Sequence, residues 1–387
     1  MEPIVVISAR GEERVRSGHL WIYRADVVEA GAEPGDVVRV VGPRGRPIGH
    51  ALYSDRSQIA LRLVPAVEAV VDREFWRRRL QAAIAFRTTL GIDATAYRLV
   101  HGEGDLLPSL IVDRYGDYLV VQALSQAMDR LLPQLAGLLV ELLAPVGILA
   151  RNDPRVRLLE GLEQRVDVLH GSVPETITVR EGAAEYDVDP WKGQKTGLFL
   201  DQRENRQAAA RTARGRLLDC FSYTGGFTLQ LARYCSDVLA IEISDGAAAN
   251  LARNAARNGL TNVEVRAANV FDELHDLDRA GERFDTIVLD PPAFAKNKAS
   301  VAKALTGYRE INLRALKLLA PGGCLITCSC SYNVDEGLFA NVVHDAASDA
   351  RAQVSLVEKR MQSRDHPVLL GMPETYYLKC FILRKLA

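Results

Sequence analysis

Cysteine is sparse in this chain, with six residues among 387: Cys220, Cys235, Cys324, Cys328, Cys330 and Cys380. Their number and uneven spacing exclude a secreted disulfide framework and point to a reducing compartment. Excess charge of one sign is also missing. The net charge of −1 gives no global attraction to nucleic acid, so any such binding must come from a local basic patch. The opening MEPIVVISARGEERV has neither a basic leader before an apolar core nor a small-residue cleavage site, and no signal peptide is expected. The longest apolar run, LLPQLAGLLVELLAPVGILA (131–150), is interrupted by Pro133, Gln134, Glu141 and Pro145. That pattern favours a buried amphipathic helix followed by a strand over a membrane span. These absences lead to the expectation of a cytoplasmic protein with no membrane partner.

What is present is ordinary globular composition, 48% hydrophobic and 25% charged, in a chain long enough for two or three domains. Residues 1–68 are β-rich, with WIY, DVVRVVG, PIGHALY and QIALRLV separated by the turn signals PGD and GPRGRPIG, which predicts a small barrel-like domain. Residues 69–189 form a second unit. A linker helix, FWRRRLQAAIAFRTTL, stops at Gly91, and an α+β region follows with a hairpin turn at Gly116-Asp117, a helix over 127–144 and the strands GILARN and ETITVREG. Residues 190–387 then alternate strand and helix: RLLDCF, VLAIEI, VEVRAAN, FDTIVLD, GCLITCSC, QVSLVEK and a closing YYLKCFILRK. Strict alternation predicts an α/β, doubly wound, mostly parallel sheet of the Rossmann-like kind.

In such sheets ligands lie beyond the carboxyl ends of the strands, near the switch in strand order. The first strand ends at Asp219 and leads to Gly225-Gly226, where a ligand can approach the backbone. No GxGxxG pattern accompanies it, which weakens a nicotinamide reading. The second strand ends in Glu242, placed to accept from both hydroxyls of a ribose. A nucleoside-containing cofactor without a pyrophosphate fits, namely S-adenosylmethionine. The third strand ends at Asn269, a position suited to the adenine amino group, and the fourth ends in DPPAF (290–294). Pro291 and Pro292 fix an extended path there, leaving Asp290 to bond the amidine edge of a planar base and Phe294 to stack on it. A rigid turn capping the next helix is the competing reading of an isolated DPP.

Three cysteines fall within CLITCSC. Cys324, Ile326 and Cys328 share one strand face, where small apolar filling accounts for them. A metal site fails for want of partners, because no CxxC or His pair completes the tetrahedral set. Cys330 lies at or just past the strand's end, between Ser329 and Ser331. A thiolate there has a chemical use: carbon 5 of a pyrimidine is a poor nucleophile until a thiolate adds to carbon 6 and converts the ring to an enamine.

Over essentially its whole length the chain resembles bacterial large-subunit ribosomal RNA cytosine-carbon-5 methyltransferases, which join a PUA domain, a central α+β domain and a Rossmann-like methyltransferase domain. The matching segments are HLWIY and QIALRLV; LVHGEGDLLPSLIVDRYGD; and GQKTGLFLDQRENR, DCFSYTGGFTL, DPPAF, SCS and RDHPVLLGMPETYYLKCF. The resemblance implies that Lys195, Phe199, Asp201 and Gln202 belong to a loop covering the cofactor. Asp219, Phe221, Tyr223 and Gly225 would take its methionine side, Glu242 its ribose, and Cys330 would be the nucleophile. Asn269 departs from the Asp that many such enzymes carry. Related guanine-N methylating domains share DPPxF without needing the cysteine.

The expected activity is therefore S-adenosylmethionine-dependent methylation of cytosine carbon 5 in large-subunit ribosomal RNA, with Cys330 attacking and Asp290 bonding the base. Guanine N-methylation and a non-catalytic role in ribosome assembly are the alternatives, and a homodimer is left open. In the first domain Arg10, Arg14, Arg16 and Arg24 are expected near phosphates, with Tyr23 available for stacking and Trp21 better read as core. Pro291, Pro292, Phe294, Lys296 and Lys298 are expected on the substrate side. His101 and Asp113 have no evident chemical role, and Glu374 is a positional candidate for the base that removes the carbon-5 proton.

Overall fold

The computed structural model describes residues 2–65, 70–295 and 297–386, so the expected boundary after residue 68 lies outside the described residues. The chain forms two compact units, each assembled from separated segments. The first comprises Met1–Val179, Val188–Leu200 and Arg364–Thr375; the second comprises Arg180–Asp187, Asp201–Ser363 and Tyr376–Ala387.

The first unit holds two sheets. A six-stranded sheet takes in Trp21–Tyr23, Pro47–Tyr53 and Ile59–Val64 together with Val37–Val41, as the apolar segments predict. It also contains two strands the sequence pattern did not reveal, Ile4–Ile7 and Val27–Gly31, which pair antiparallel with each other. Its core gathers Val5, Ile22, Val38 and Leu61. The five-stranded sheet contains the hairpin Leu110–Tyr115 and Tyr118–Ala123, closed around Gly116 at φ +60°. Its apolar face is covered by the helices Arg73–Thr89 and Gln126–Leu143 through Trp76, Leu80, Leu135 and Leu138.

Within this unit Asp113 is fully buried and receives two bonds from the Arg98 guanidinium, at 2.8 and 2.9 Å. The hydroxyl of Thr196 donates to the same carboxylate at 2.6 Å and meets the Tyr115 hydroxyl at 2.9 Å. Burial pushes the Tyr115 phenol well above its ordinary range. Asp365 accepts from the Arg98 amide at 2.9 Å. The segments 188–200 and 364–375 are thus tied to the five-stranded sheet by buried charge, and the role of Asp113 is structural. A buried pair of this kind resists loss of one partner, because the remaining charge would stay desolvated.

The second unit is built on a seven-stranded sheet. In spatial order its strands are Val263–Ala267, Asp237–Glu242, Arg216–Cys220, Phe284–Leu289, Leu319–Ser329, Lys379–Lys385 and Val354–Arg360. The first five run parallel; Lys379–Lys385 inserts antiparallel beside Leu319–Ser329. Alternate residues face opposite layers. Leu218, Leu289 and Leu325 pack with the helices Val270–Arg279, Val301–Leu318 and Glu336–Asp349, through Leu274, Ile311 and Phe339. Leu217, Val288 and Ile326 face the helices Arg203–Ala210 and Gly226–Leu231, through Ala208 and Phe227. Cys324 and Cys328 lie on this second face with Cys380, as strand parity predicts. Strand order reverses at Arg216–Cys220, whose neighbours lead to the sheet's two sides, so the carboxyl ends of the parallel strands converge there. Among the described residues no helix is long and apolar enough to cross a membrane.

Candidate functional site

The loop leaving Arg216–Cys220 departs from ordinary backbone geometry. Phe221 and Tyr223 sit at φ +62° and +49°, in the left-handed region that side chains with a Cβ disfavour. Strained backbone of this kind concentrates at ligand sites, where surrounding contacts hold it. Here those contacts are visible. The Ser222 amide donates to Ile241 O at 3.1 Å, and the Tyr223 amide donates to Glu242 Oε2 at 2.9 Å. Gly225, at φ +97°, precedes the helix Gly226–Leu231; a Cβ there would come within 3.1 Å of Leu251 and 3.2 Å of Leu229.

Glu242 ends its strand nearly buried, and its other oxygen accepts the Ser244 amide at 2.9 Å. Each carboxylate oxygen retains a second lone pair, so the backbone bonds orient the group without exhausting it. Asp219 is 1% exposed. Its Oδ2 accepts the Thr228 hydroxyl at 2.5 Å, and its Oδ1 has no hydrogen-bond partner among the described residues. Burial, with Asp290 and Glu242 nearby, pushes its carboxyl up to about 7 against the Thr228 bond. A buried acceptor left open is costly unless a ligand satisfies it. An ammonium group, such as that of an amino-acid moiety, is the natural occupant, and the Asp219, Glu242 pair suits a ligand carrying both an amine and a ribose.

Gln202 holds a neighbouring carboxylate. It is 2% exposed and donates from Nε2 to Asp290 Oδ1 at 2.7 Å, while its Oε1 accepts Asn205 Nδ2 at 2.6 Å. Its amide is thus engaged in holding Asp290. Asp201 Oδ2 accepts the Tyr377 hydroxyl at 2.7 Å. Asn269 is exposed and caps the helix Val270–Arg279, accepting the Phe271 amide at 2.9 Å. Lys195 and Phe199 belong to the first unit, where the Lys195 ammonium lies 4.5 Å from the Phe199 ring centroid.

The DPPAF loop and the SCS loop meet. Cys330, half-buried just after its strand, directs its thiol to Pro291 O at 3.8 Å. The Ala295 amide donates to Ser331 Oγ at 3.1 Å, and Tyr308 OH lies 3.0 Å from both Ser329 Oγ and Ser331 Oγ. Both residues flanking Cys330 are therefore locked. Phe294 is half-buried among Tyr308 (4.7 Å between centroids), Phe271 (6.1 Å) and Phe221 (6.4 Å), so much of its ring is committed to packing. Pro291 is buried and Pro292 exposed; Lys298 is exposed, and Lys296 lies outside the described residues. The other five cysteines are buried, with burial raising the Cys220 and Cys328 thiols well above their usual range. Among the described residues no cluster of His, Cys, Asp and Glu could hold a metal ion.

Sequence reasoning missed Lys379. It is 2% exposed, pairs with Ser329 across the strands, and donates to Ser331 O at 2.8 Å and Tyr377 O at 2.9 Å. A lysine in an apolar closing strand gave no signal by itself. Arg10 and Arg14 bind Asp26 at 2.6 and 2.9 Å, Arg16 binds Glu12 at 2.7 Å, and Arg24 donates to Ser54 O and Ser57 O. Trp21 is half-buried with Nε1 on Glu103 at 2.9 Å. Glu374 lies 3.2 Å from His19 within the first unit, a partner that accounts for its position.

Comparison with known proteins agrees with this architecture. Residues 5–65 match the PUA-like domain family, and residues 98–369 match the S-adenosylmethionine-dependent methyltransferase family. The chain is 39% identical to the ribosomal RNA large subunit methyltransferase I of Tolumonas auensis, over 99% of this chain and 100% of that one. It is 38% identical to the protein of the same name from Aeromonas salmonicida, over 98% of each. A candidate methyltransferase solved in complex with SAH shares the fold, with a TM-score of 0.86 at 20% identity over 98% of this chain and 99% of that one. A candidate SAM-dependent methyltransferase from Streptococcus mutans superposes with a TM-score of 0.84 at 19% identity over the same shares. The chain belongs to the S-adenosylmethionine-dependent methyltransferases, in the family of the ribosomal RNA large subunit methyltransferases I.

Proposed function

We propose that this enzyme methylates carbon 5 of a cytosine in large-subunit ribosomal RNA, with Cys330 as a covalent nucleophile. The observation that carries this reading is the half-buried Cys330 thiol, 3.8 Å from Pro291 O, in a loop joined to DPPAF through Ser331. The relatives' names support the ribosomal RNA substrate, and the PUA-like match supports RNA docking by the first sheet. Nothing in the comparisons supports a homodimer.

Asp219 and Glu242 would hold the amine and ribose ends of S-adenosylmethionine, with Phe221, Tyr223 and Gly225 shaping the backbone against it. Bound there, the cofactor supplies an electrophilic methyl group. Cys330, as thiolate, forms a bond to carbon 6 of the cytosine and shifts the ring electrons so that carbon 5 becomes nucleophilic. Asp290, oriented by Gln202, bonds the amidine edge of the base and stabilises the altered ring. Loss of the carbon-5 proton and departure of the Cys330 sulfur then restore the aromatic cytosine.

The test is RNA carrying 5-fluorocytidine at the target. Fluorine cannot leave as a proton does, so the enzyme should stall as a covalent protein–RNA complex that survives denaturing gels and maps to Cys330. Full activity in Cys330→Ala would overturn the reading in favour of methylation on a base nitrogen.

A further inference from the structure

A lysine almost completely removed from water is expensive, and among the described residues no carboxylate is bonded to Lys379. Its Nζ donates to two backbone carbonyls, Ser331 O at 2.8 Å and Tyr377 O at 2.9 Å. An ammonium has three donors, and the third has no protein acceptor among the described residues. The strand register pairs the Lys379 backbone with Ser329, and its ammonium is bonded to the carbonyl of Ser331, so Lys379 engages the residues on both sides of the one between them. That residue is Cys330. A neutral amide would anchor the same carbonyls at lower desolvation cost, so the buried charge itself calls for an explanation.

We propose that the Lys379 ammonium is the counter-ion that holds Cys330 as a thiolate. This rests on the reading of Cys330 as the nucleophile and adds a positioning residue to it. In the step concerned the S–H bond breaks, the proton leaves to solvent, and sulfur keeps the electron pair that will form the bond to carbon 6. Lys379 keeps its own proton throughout. Thiolates next to lysine form well below the ordinary thiol range of about 8.5.

The charged and titratable groups facing the pair are few. Asp335 and Glu336, at the start of the helix Glu336–Asp349, act on the ammonium together with Cys330. Glu336 is itself bonded to Lys359 at 2.7 Å and Tyr376 at 2.9 Å, and Asp335 caps the Leu338 amide at 2.8 Å. Tyr308 faces Cys330 from the helix Val301–Leu318, its phenol raised by burial and then by the thiol. Burial brings Lys379 down to about 8, opposed by Cys330, Asp335 and Glu336, so the ammonium persists at neutral pH.

The experiment follows alkylation of Cys330 by iodoacetamide against pH in the full-length protein without RNA, with the modified peptide identified by mass spectrometry. The other five cysteines are buried, so the label reads Cys330. Lys379→Met should raise the midpoint by about one pH unit or more, slowing alkylation at pH 7 roughly tenfold. Lys379→Arg, which keeps the charge, should return the midpoint close to that of the wild type. An unchanged midpoint in Lys379→Met with cofactor binding intact, or an Arg variant displaced as far as Met, would overturn the proposal and leave Lys379 a carbonyl anchor. Should Lys379→Met fail to fold, the wild-type midpoint decides: thiolate absorbance, referenced to Cys330→Ser, must titrate below about 8.5, and a midpoint at or above that value overturns the pair. A shifted midpoint without the 5-fluorocytidine adduct would sink the nucleophile reading while leaving the ion pair standing.

Discussion

Gln202 Nε2 lies 2.7 Å from Asp290 Oδ1, and the same side chain is held at its other end by Asn205 at 2.6 Å. Asp290 therefore reaches the site already oriented by a neutral donor. Gln202→Ala should leave S-adenosylmethionine affinity nearly unchanged and lower single-turnover methyl transfer by about tenfold or more, the scale on which misplaced groups slow reactions. Calorimetry beside single-turnover kinetics checks this. A large loss of cofactor affinity would instead make Gln202 a cofactor ligand.

The clustered cysteines should separate by phenotype. Cys328 is fully buried between Cys380 and the helix layer, so Cys328→Ala should cost roughly 1 kcal/mol of stability and keep most activity. Cys330→Ala should abolish methyl transfer while retaining cofactor binding, because the thiol acts only in the chemical step. Urea unfolding and methyl-transfer assays on both variants decide it.

Asp219 makes cofactor affinity depend on pH. Its carboxyl is raised from 3.8 to about 7 by burial, and an incoming ammonium needs the ionised form. Affinity should be full above about 7 and fall roughly tenfold for each pH unit below it. In the unliganded protein the sign is reversed. The raised carboxyl contributes stability that is fully present below 3.8 and is lost as pH rises through about 7. Calorimetry in buffers of different ionisation enthalpy should show proton release on binding near pH 7, and Asp219→Asn should flatten the profile.

The buried charge of the first unit should be unforgiving. Asp113→Ala strands the Arg98 guanidinium and should cost about 3 to 5 kcal/mol. Thr196→Val removes one hydroxyl from the same carboxylate and should cost about 1 kcal/mol. Equal, small effects in urea unfolding would show that this network is dispensable.

What the sequence made legible was whatever depends on local period and strand polarity. Alternating strands and helices located Asp219, Glu242 and Asp290 at strand ends, and the end of the strand Leu319–Ser329 separated the buried Cys328 from Cys330 just beyond it. What stayed hidden depends on pairings across long separations. Gln202 and Asp290 are 88 positions apart, Asp113 and Thr196 83, and Lys379 and Ser331 48. The partners of the amino-terminal arginines were not legible either: Arg10 and Arg14 share Asp26, and Arg16 shares Glu12 with Arg46. Ile4–Ile7 and Val27–Gly31 were missed because the latter is largely exposed and shows no apolar alternation.

The connectivity of the two compact units has a consequence for synthesis. The chain returns to the first unit at Val188–Leu200 and again at Arg364–Thr375, each time leaving a stretch of the second unit behind. No single cut yields two contiguous fragments that each hold a whole unit. A ribosome translating this message exposes nearly all of the amino-terminal unit early, yet must pass residue 375 before that unit has its last segment, with Asp365 to meet Arg98. The strand that delivers Lys379 follows only then. Both units therefore reach completion within twelve residues of each other, and a nascent chain stalled before residue 375 leaves both without their last segments.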